Sequence, residues 1–228
     1  MRPIGILGGM GPEASADVYM KIIKLSYGYA AANMDAYPHI LINNVPTPNI
    51  FQRFNQETGI YLGEQVRVLE NAGAKAIGVA CNSAHHYWVD MRAALSQDVW
   101  LVDMIDEVAG KVERDGYRKV GILSSSMSRP LYKQAVGRHS CQIAELTLPE
   151  QQAIDQIISR ILSGERTRDL KSELHDLADG QAARGAQCVI LGCTDLPILL
   201  GQADVSYPLY ASNDVLAEVL FDFAVKDQ

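Results

Sequence analysis

Short apolar runs alternate with stretches of helical periodicity along the whole chain. The runs are continuous rather than alternating, which is typical of strands buried on both faces of a parallel sheet. We predict strands at 3–8, 39–44, 75–80, 100–102, 119–123, 142–147, 186–191 and 207–210. Between them apolar residues recur at helical spacing, as at Leu62, Val66 and Leu69. Strands that alternate with helices predict βαβ units and an α/β fold.

Two segments of the chain share one pattern. Residues 73–83 and 185–195 each begin with Gly-Ala, continue with an apolar run, and end with a cysteine followed by polar residues. Upstream of them, 4–9 and 120–125 form a second matching pair. The repetition predicts two related halves, in each of which one cysteine follows the end of a strand.

The repeat also predicts the domain organisation. We expect a first α/β domain of 1–102 with 211–228 and a second of 103–210, because the last predicted helix follows the second repeat. Each domain is predicted to be a parallel sheet flanked by helices and pseudo-symmetric to the other. Ligands bind beyond the carboxyl ends of parallel strands, so we expect an active-site cleft between the domains.

The composition excludes several classes of function. An apolar share of 48% with 21% charged residues predicts a packed core. The net charge of −7 argues against a nucleic-acid partner. The apolar runs are too short for a signal peptide or a membrane span, so we expect a cytoplasmic protein without a membrane partner.

The four cysteines are too few for a disulfide framework and are expected to be reduced thiols. Cys141 and Cys188 are expected to be core residues. Cys81 and Cys193 differ, because both lie just beyond a predicted strand at equivalent positions of the repeat. A helix N-terminus is expected beside each of them, where it would lower the pKa of a thiol. We therefore predict that both are functional; a disulfide between them is the disfavoured alternative.

Two other kinds of site have weak signals. Residues 9–14 match a dinucleotide-binding fingerprint, but an Asn-Asn pair at 43–44 closes the second strand, where that motif needs an acid. Cys81 is followed by a His-His pair at 85–86, but no second cluster completes a four-ligand metal site. We therefore expect no cofactor and no metal.

Residues 8–14, 81–85 and 192–195 together resemble the motifs of the aspartate/glutamate racemase family, and their order and spacing agree over the whole chain. The resemblance implies a cofactor-independent amino-acid racemase of two pseudo-symmetric α/β domains that forms a homodimer. It also implies that Cys81 and Cys193 are the two acid–base thiols. The residues that would bind the α-carboxylate and α-amino groups are Met10, Gly11, Asn82, Ser83 and Thr194, with Ser125 at the position of a substrate-binding Thr.

Inversion of an α-carbon is chemistry that suits two like thiols. One face of the carbon needs a base and the other an acid, and a thiolate and a thiol exchange these roles in the reverse direction. A free cysteine has a pKa of about 8.5, so modest local changes ionise one of the pair. Asp195 and His85 are expected to influence thiol protonation; a purely structural, hydrogen-bonded role is the alternative for His85.

The sequence departs from the family at positions that bind the side-chain carboxylate of aspartate. After Pro48 the family often has Asp-Arg, where this chain has Asn49 and Ile50. Leu162 occupies the position of a frequent Lys. Arg53 is a candidate replacement cation, although a solvated helix-start position is the favoured interpretation. We therefore predict weakened acceptance of acidic substrates, and neutral or less usual amino acids become candidates.

The residues also leave other functions open. These are a hydantoin racemase, a maleate-type isomerase, a decarboxylase, and a small-ligand binding protein without catalysis. Retention of two cysteines argues against single-thiol decarboxylase chemistry. Incorporation of solvent deuterium at the α-position of the substrate separates a racemase from a binding protein.

We expect Ile50→Arg to raise kcat/KM for aspartate by about tenfold, because it restores a charged donor for the side-chain carboxylate. The measurement is the rate of aspartate racemisation by the variant and the parent, with Ile50→Leu as the control. An unchanged rate for Ile50→Arg, or an equal gain for Ile50→Leu, contradicts the specificity argument.

Overall fold

The computed structural model of the protein describes residues 1–33, 37–46 and 56–226. Within these ranges the strands are β1 (Ile4–Gly8), β2 (Ile40–Asn44), β3 (Ala76–Val79), β4 (Trp100–Leu101), β5 (Lys119–Leu123), β6 (Gln142–Ala144), β7 (Cys188–Leu191) and β8 (Leu209–Ala211). The α-helices are α1 (Pro12–Ala32), α2 (Gln56–Asn71), α3 (Trp88–Ala94), α4 (Met104–Arg114), α5 (Arg129–Arg138), α6 (Leu148–Leu162), α7 (Arg168–Ala183) and α8 (Ser212–Val225). Short 3₁₀ segments are Ser83–Tyr87, Leu196–Ile198 and Gln202–Asp204.

The chain divides into two units. Unit 1 comprises Met1–Met104 with Asn213–Gln228, and unit 2 comprises Ile105–Ser212. Unit 1 contains a sheet of order β2-β1-β3-β4, and unit 2 contains a sheet of order β6-β5-β7-β8. All the strand pairs within these sheets are parallel. The predicted α/β fold with two helix-flanked parallel sheets is confirmed.

The core of unit 1 includes the helix that is last in the sequence. Leu216 and Leu220 of α8 are fully buried in one apolar cluster with Ile4 and Ile6 of β1. On β3, a Cβ atom at Gly78 would lie 2.7 Å from Leu216 Cδ1 and 2.8 Å from Leu220 Cδ1. The absence of a side chain at Gly78 therefore lets α8 pack directly on the sheet.

The core of unit 2 lies where α6 and α7 cover the sheet. The buried side chains of this cluster include Ile154, Ile157, Ile158, Ile161, Leu170, Leu174, Val189 and Leu191. The isoleucines of α6 recur at three- and four-residue spacing, so they form one apolar stripe along the helix. This stripe packs on a sheet whose β7 residues are all buried.

Strand β6 is shorter than predicted, because the cap of the next helix begins inside the predicted strand. The strand predicted at 142–147 ends at Ala144, and Thr147 is the N-cap of α6. The Thr147 side chain accepts a hydrogen bond from the Glu150 backbone N–H, and the Glu150 carboxylate accepts one from the Thr147 N–H at 2.7 Å. This capping box uses backbone groups that strand pairing would otherwise need.

None of the helices in the described ranges is both long enough and apolar enough to cross a bilayer.

We expect Leu220→Ala to lower the free energy of unfolding by about 2–5 kcal/mol, because it leaves a cavity in the core of unit 1. The measurement is urea-induced unfolding followed by circular dichroism. Leu25→Ala on α1 is the matched control, since Leu25 is 39% exposed. Equal losses in the two variants would contradict the assigned packing of α8.

Candidate active site

The loop between β1 and α1 is fixed by its own backbone and by Ser15. Gly9 and Gly11 have φ values of 97° and 132°, which favour glycine. A side chain on Gly9 would also collide with the Val45 carbonyl. The Ser15 Oγ accepts a hydrogen bond from the Gly9 N–H at 3.0 Å and donates to the Gly11 carbonyl at 3.1 Å. Met10 and Gly11 are consequently held at the carboxyl edge of the unit 1 sheet.

The first predicted catalytic cysteine lies at the same edge. Cys81 follows β3 by two residues, and β3 pairs in parallel with β1, so the loops after both strands are neighbours. The Ala80 N–H donates to the Leu7 carbonyl at 2.9 Å and extends this pairing to the residue before the cysteine. Cys81, Asn82 and Ser83 are all buried, with 3–4% of their surfaces exposed.

His85 contacts the backbone of this loop through both ring nitrogens. Its Nδ1 lies 2.9 Å from the Cys81 carbonyl oxygen, and the Met104 N–H donates to its Nε2 at 3.2 Å. Because Nε2 accepts a hydrogen bond, the proton is on Nδ1 and the ring is neutral. Burial lowers the pKa of His85 and stabilises this neutral form. His85 therefore connects the cysteine loop to the start of α4, which is the structural, hydrogen-bonded role considered above as its alternative.

In unit 2 the loop after β5 is joined to the loop after β7. Ser125 Oγ and Ser128 Oγ lie 3.0 Å apart, and the Ser128 N–H donates to Ser125 Oγ at 3.2 Å. The Ser128 hydroxyl donates to the Gly192 carbonyl at 3.3 Å. Ser125, the predicted substrate-binding residue of this loop, is thus placed beside the residue that precedes Cys193.

Cys193 occupies in unit 2 the place that Cys81 occupies in unit 1. Cys81 follows β3, which pairs in parallel with β1, the strand before the Gly-rich loop. Cys193 follows β7, which pairs in parallel with β5, the strand before the serine-rich loop. A Cβ at Gly192 would lie 2.5 Å from Tyr132 Cε2, so glycine is required directly before the cysteine. The Cys193 thiol donates toward Asp195 Oδ2 at 3.7 Å. Thr194 beside it is also buried.

Arg129 is a buried residue of this region that the sequence analysis did not identify. Its Nη1 donates to the Ile122 carbonyl at 2.9 Å, and its Nη2 donates to Glu145 Oε2 at 3.0 Å. Lys133 also pairs with Glu145, at 2.8 Å. A cation in the first turn of a helix opposes the helix dipole, so an arginine at the start of α5 is the sequence signal for a tertiary partner.

Two further polar residues, on α6, were also not identified from the sequence. Gln151 Nε2 donates to the Ser124 carbonyl at 3.0 Å, and Asp155 Oδ1 accepts from the Ser126 N–H at 2.8 Å. Ser124 Oγ and Gln151 Oε1 are buried without a hydrogen-bond partner in the described part of the chain. Polar groups of α6 therefore determine the backbone path of the loop that contains Ser125.

The remaining cysteines lie apart from these loops. Cys188 is fully buried within β7, and burial raises the pKa of its thiol to about 12. The Cys141 thiol donates to the carbonyls of Tyr117 and His139, both at 3.4 Å. These environments are those of core cysteines.

The helix starts that were expected beside the two functional cysteines are 3₁₀ segments in the structure. Ser83–Tyr87 follows Cys81 and leads into the seven-residue α3, and Leu196–Ile198 follows Cys193. These segments have few aligned peptide dipoles, so they supply local N–H donors without the dipole of a long α-helix.

Of the four predicted specificity residues, the structure describes Leu162. Pro48, Asn49 and Ile50 lie outside the described residues, as does Arg53. Leu162 is the last residue of α6 and is 42% exposed.

Comparison with known proteins identifies the family. The sequence profile of Asp/Glu/Hydantoin racemases matches residues 7–220. The chain belongs to this family. The family membership predicted from the three motifs is therefore confirmed, and with it the assignment to racemases.

Individual relatives match over nearly the full length. The broad specificity amino-acid racemase RacX of Bacillus subtilis (strain 168) is 27% identical over 218 residues, which cover 94% of this chain and 95% of the relative. An aspartate racemase homologue from Pyrococcus horikoshii OT3 is 26% identical with a TM-score of 0.82, over 99% of this chain and 100% of that one. The Picrophilus torridus aspartate racemase shares the fold with a TM-score of 0.84 at 21% identity, over 100% of this chain and 96% of that one.

We expect the stability of the protein to fall as the pH decreases below about 6.5, with His85 as one cause. The pKa of His85 is lowered in the folded state, so below the ordinary imidazole value the unfolded chain binds one more proton. His85→Asn should be less stable at pH 8 but should lose less additional stability between about pH 7 and pH 5. The measurement is the urea midpoint as a function of pH. His39→Asn, at an exposed position, is the control, and parallel pH profiles for the parent and His85→Asn would contradict the assignment.

Proposed function

We propose that this protein racemises a free amino acid without a cofactor, and that Cys81 and Cys193 are its two acid–base groups. The observation that carries the proposal is their equivalence. Each is a buried thiol just beyond a strand: Cys81 follows β3, the neighbour of β1, and Cys193 follows β7, the neighbour of β5. Each cysteine is followed by small polar residues. Two such thiols can perform inversion at a carbon atom, since a proton must leave one face and another must arrive at the opposite face.

The proposed reaction proceeds in two proton transfers. The thiolate of one cysteine takes the α-proton, and the electron pair of the broken C–H bond passes into the α-carboxylate. The thiol of the other cysteine then gives its proton to the opposite face, so the enzyme ends with the two protonation states exchanged. In the state with the Cys193 thiol directed at Asp195, Cys193 is the acid and Cys81 is the base. The reverse assignment applies to the other enantiomer.

The negative charge that develops on the carboxylate needs hydrogen-bond donors. We propose that the loop residues supply them, because donors that are already fixed cost little reorganisation during the reaction. The proposed binding residues are Met10, Gly11, Asn82, Ser83, Ser125 and Thr194. We propose that the Asp195 carboxylate accepts a hydrogen bond from the Cys193 thiol and that His85 positions the loop that contains Cys81. The anchored backbones of both loops support these roles.

The proposed substrate is a neutral amino acid rather than aspartate or glutamate. Asn49, Ile50 and Leu162 occupy positions where the family often has groups that bind an acidic side chain. The Bacillus subtilis relative is a broad specificity racemase, which supports a permissive site in a chain of this length. By the family resemblance we further propose a cytoplasmic homodimer, and the net charge of −7 supports the absence of a nucleic-acid partner.

We expect Cys81→Ser and Cys193→Ser each to lower racemisation by a factor of about 10³, because a serine hydroxyl is a poor proton carrier at neutral pH. The measurement uses both enantiomers of a panel of amino acids in deuterium oxide, with inversion followed by circular dichroism and α-deuteration by mass spectrometry. Each variant should retain deuterium exchange with one enantiomer only, since one thiol remains to act on one face.

The matched controls for this experiment are Cys141→Ser and Cys188→Ala. Both alter a thiol in a core environment, so the variants should keep inversion close to the parental rate. Near-full racemisation by either Cys81→Ser or Cys193→Ser would overturn the two-thiol mechanism. Absence of α-deuteration by the parent protein over the whole panel would favour a binding protein instead.

A further inference from the structure

Unit 1 has a cavity at the opposite edge of its sheet from Cys81. The cavity has a volume of about 960 Å³ and is bordered by residues that precede the strands. Arg2 comes before β1, Lys75 comes before β3, and Trp100 begins β4. Because these strands are parallel, the cavity lies at their amino ends, whereas Cys81 lies at their carboxyl ends. A volume of this size is typical of a small-molecule site.

The charge around the cavity is opposite to that of the whole protein. Its lining includes Arg2, Lys75 and Arg92, together with Lys226, whose ammonium pairs with Asp222 at 2.9 Å. Asp98 is the acidic residue among the described lining side chains. The chain as a whole has a net charge of −7. A local excess of cations in an acidic protein favours an anionic occupant.

Several donors of this wall have no acceptor among the residues that the structure describes. Lys75 makes no side-chain hydrogen bond or ion pair with the described residues. Arg92 Nη2 donates to the Ser96 carbonyl at 2.9 Å, but its Nη1 is buried without a partner within the described ranges. The same holds for Trp88 Nε1. Lys75 is exposed, so its ammonium is the donor that a ligand in the cavity can reach, whereas Arg92 Nη1 and Trp88 Nε1 lie behind the surface of the wall.

The cavity wall also contains an aromatic surface. The rings of Trp100 and Phe223 are 5.7 Å apart at their centroids, and Trp100 is 40% exposed. The Arg2 guanidinium lies 3.6 Å from the centroid of the Phe223 ring and donates twice to the Phe223 carbonyl. These contacts fix Phe223 and leave the Trp100 ring beside the cationic groups. A flat ring joined to an anionic group would match both features.

We propose that this cavity binds a small anion that carries a planar aromatic ring. The anionic group, a phosphate or a carboxylate, contacts Lys75, and the ring packs against Trp100. The site is distinct from the proposed amino-acid site, and its test does not depend on racemase activity.

The test is direct titration of the full-length protein. The probes are adenosine monophosphate, benzoate, and inorganic phosphate, the last of which has the charge without the ring. Calorimetry gives the affinities, and intrinsic tryptophan fluorescence reports on the location, because both tryptophans of the chain, Trp88 and Trp100, line the cavity. At least one aromatic probe should bind about tenfold more tightly than phosphate and change the fluorescence. The two aromatic probes decide whether phosphate or carboxylate is preferred.

Substitutions locate the binding. Lys75→Gln should weaken binding of the preferred probe by about tenfold, and Trp100→Leu should remove its advantage over phosphate. Lys24→Gln is the matched control, because Lys24 is an exposed lysine of the same unit that does not line this cavity. Lys75 is exposed, so its substitution leaves the core unchanged.

Two results would overturn the proposal. One is that neither aromatic probe binds at millimolar concentration, or that binding is unaffected by Lys75→Gln and Trp100→Leu. The other is that the probes do not bind while sedimentation shows a dimer that Trp100→Leu dissociates, which would make this face a contact between two copies of the chain.

Discussion

Parallel strand pairing is the constraint on which the rest of this structure depends. In unit 1, β1 pairs with β3, and in unit 2, β5 pairs with β7, both in parallel register. Parallel strands have all their carboxyl ends at one edge of the sheet, so the segment after β1 must lie beside the segment after β3. The same holds for β5 and β7. The chemistry that each unit can present is therefore assembled from two loops that are far apart in sequence and adjacent in space.

Buried polar side chains convert these adjacent loops into fixed ones. The hydrogen bonds of the Ser15 and His85 side chains are with backbone carbonyl or N–H groups, and those of Ser128 and Arg129 are partly so. A loop whose main chain is held in this way cannot easily change the direction of its N–H groups. Such pre-organisation is most valuable where charge develops during a reaction, since the donors are then already in place.

Much of this arrangement could be predicted from the sequence because it is encoded locally. Continuous apolar runs predict buried parallel strands, and the cysteine motifs identify the family. The extent of one strand was mispredicted because Thr147 pairs with Glu150 three residues later and ends the extended segment early. Arg129 and Gln151 were missed because their partners, such as the Ile122 and Ser124 carbonyls, are backbone atoms that no side-chain pattern reveals.

The packing of α8 has a consequence for how the chain acquires its structure. Leu216 and Leu220 complete the apolar cluster around β1 and β3, although these strands are synthesised long before them. During synthesis on the ribosome, part of the apolar surface of the unit 1 sheet stays uncovered until α8 has been made. The sequence of unit 2 is complete before that point. The half of the protein whose synthesis begins first therefore has incomplete apolar packing until α8 is made, and such uncovered surface is prone to aggregation during translation.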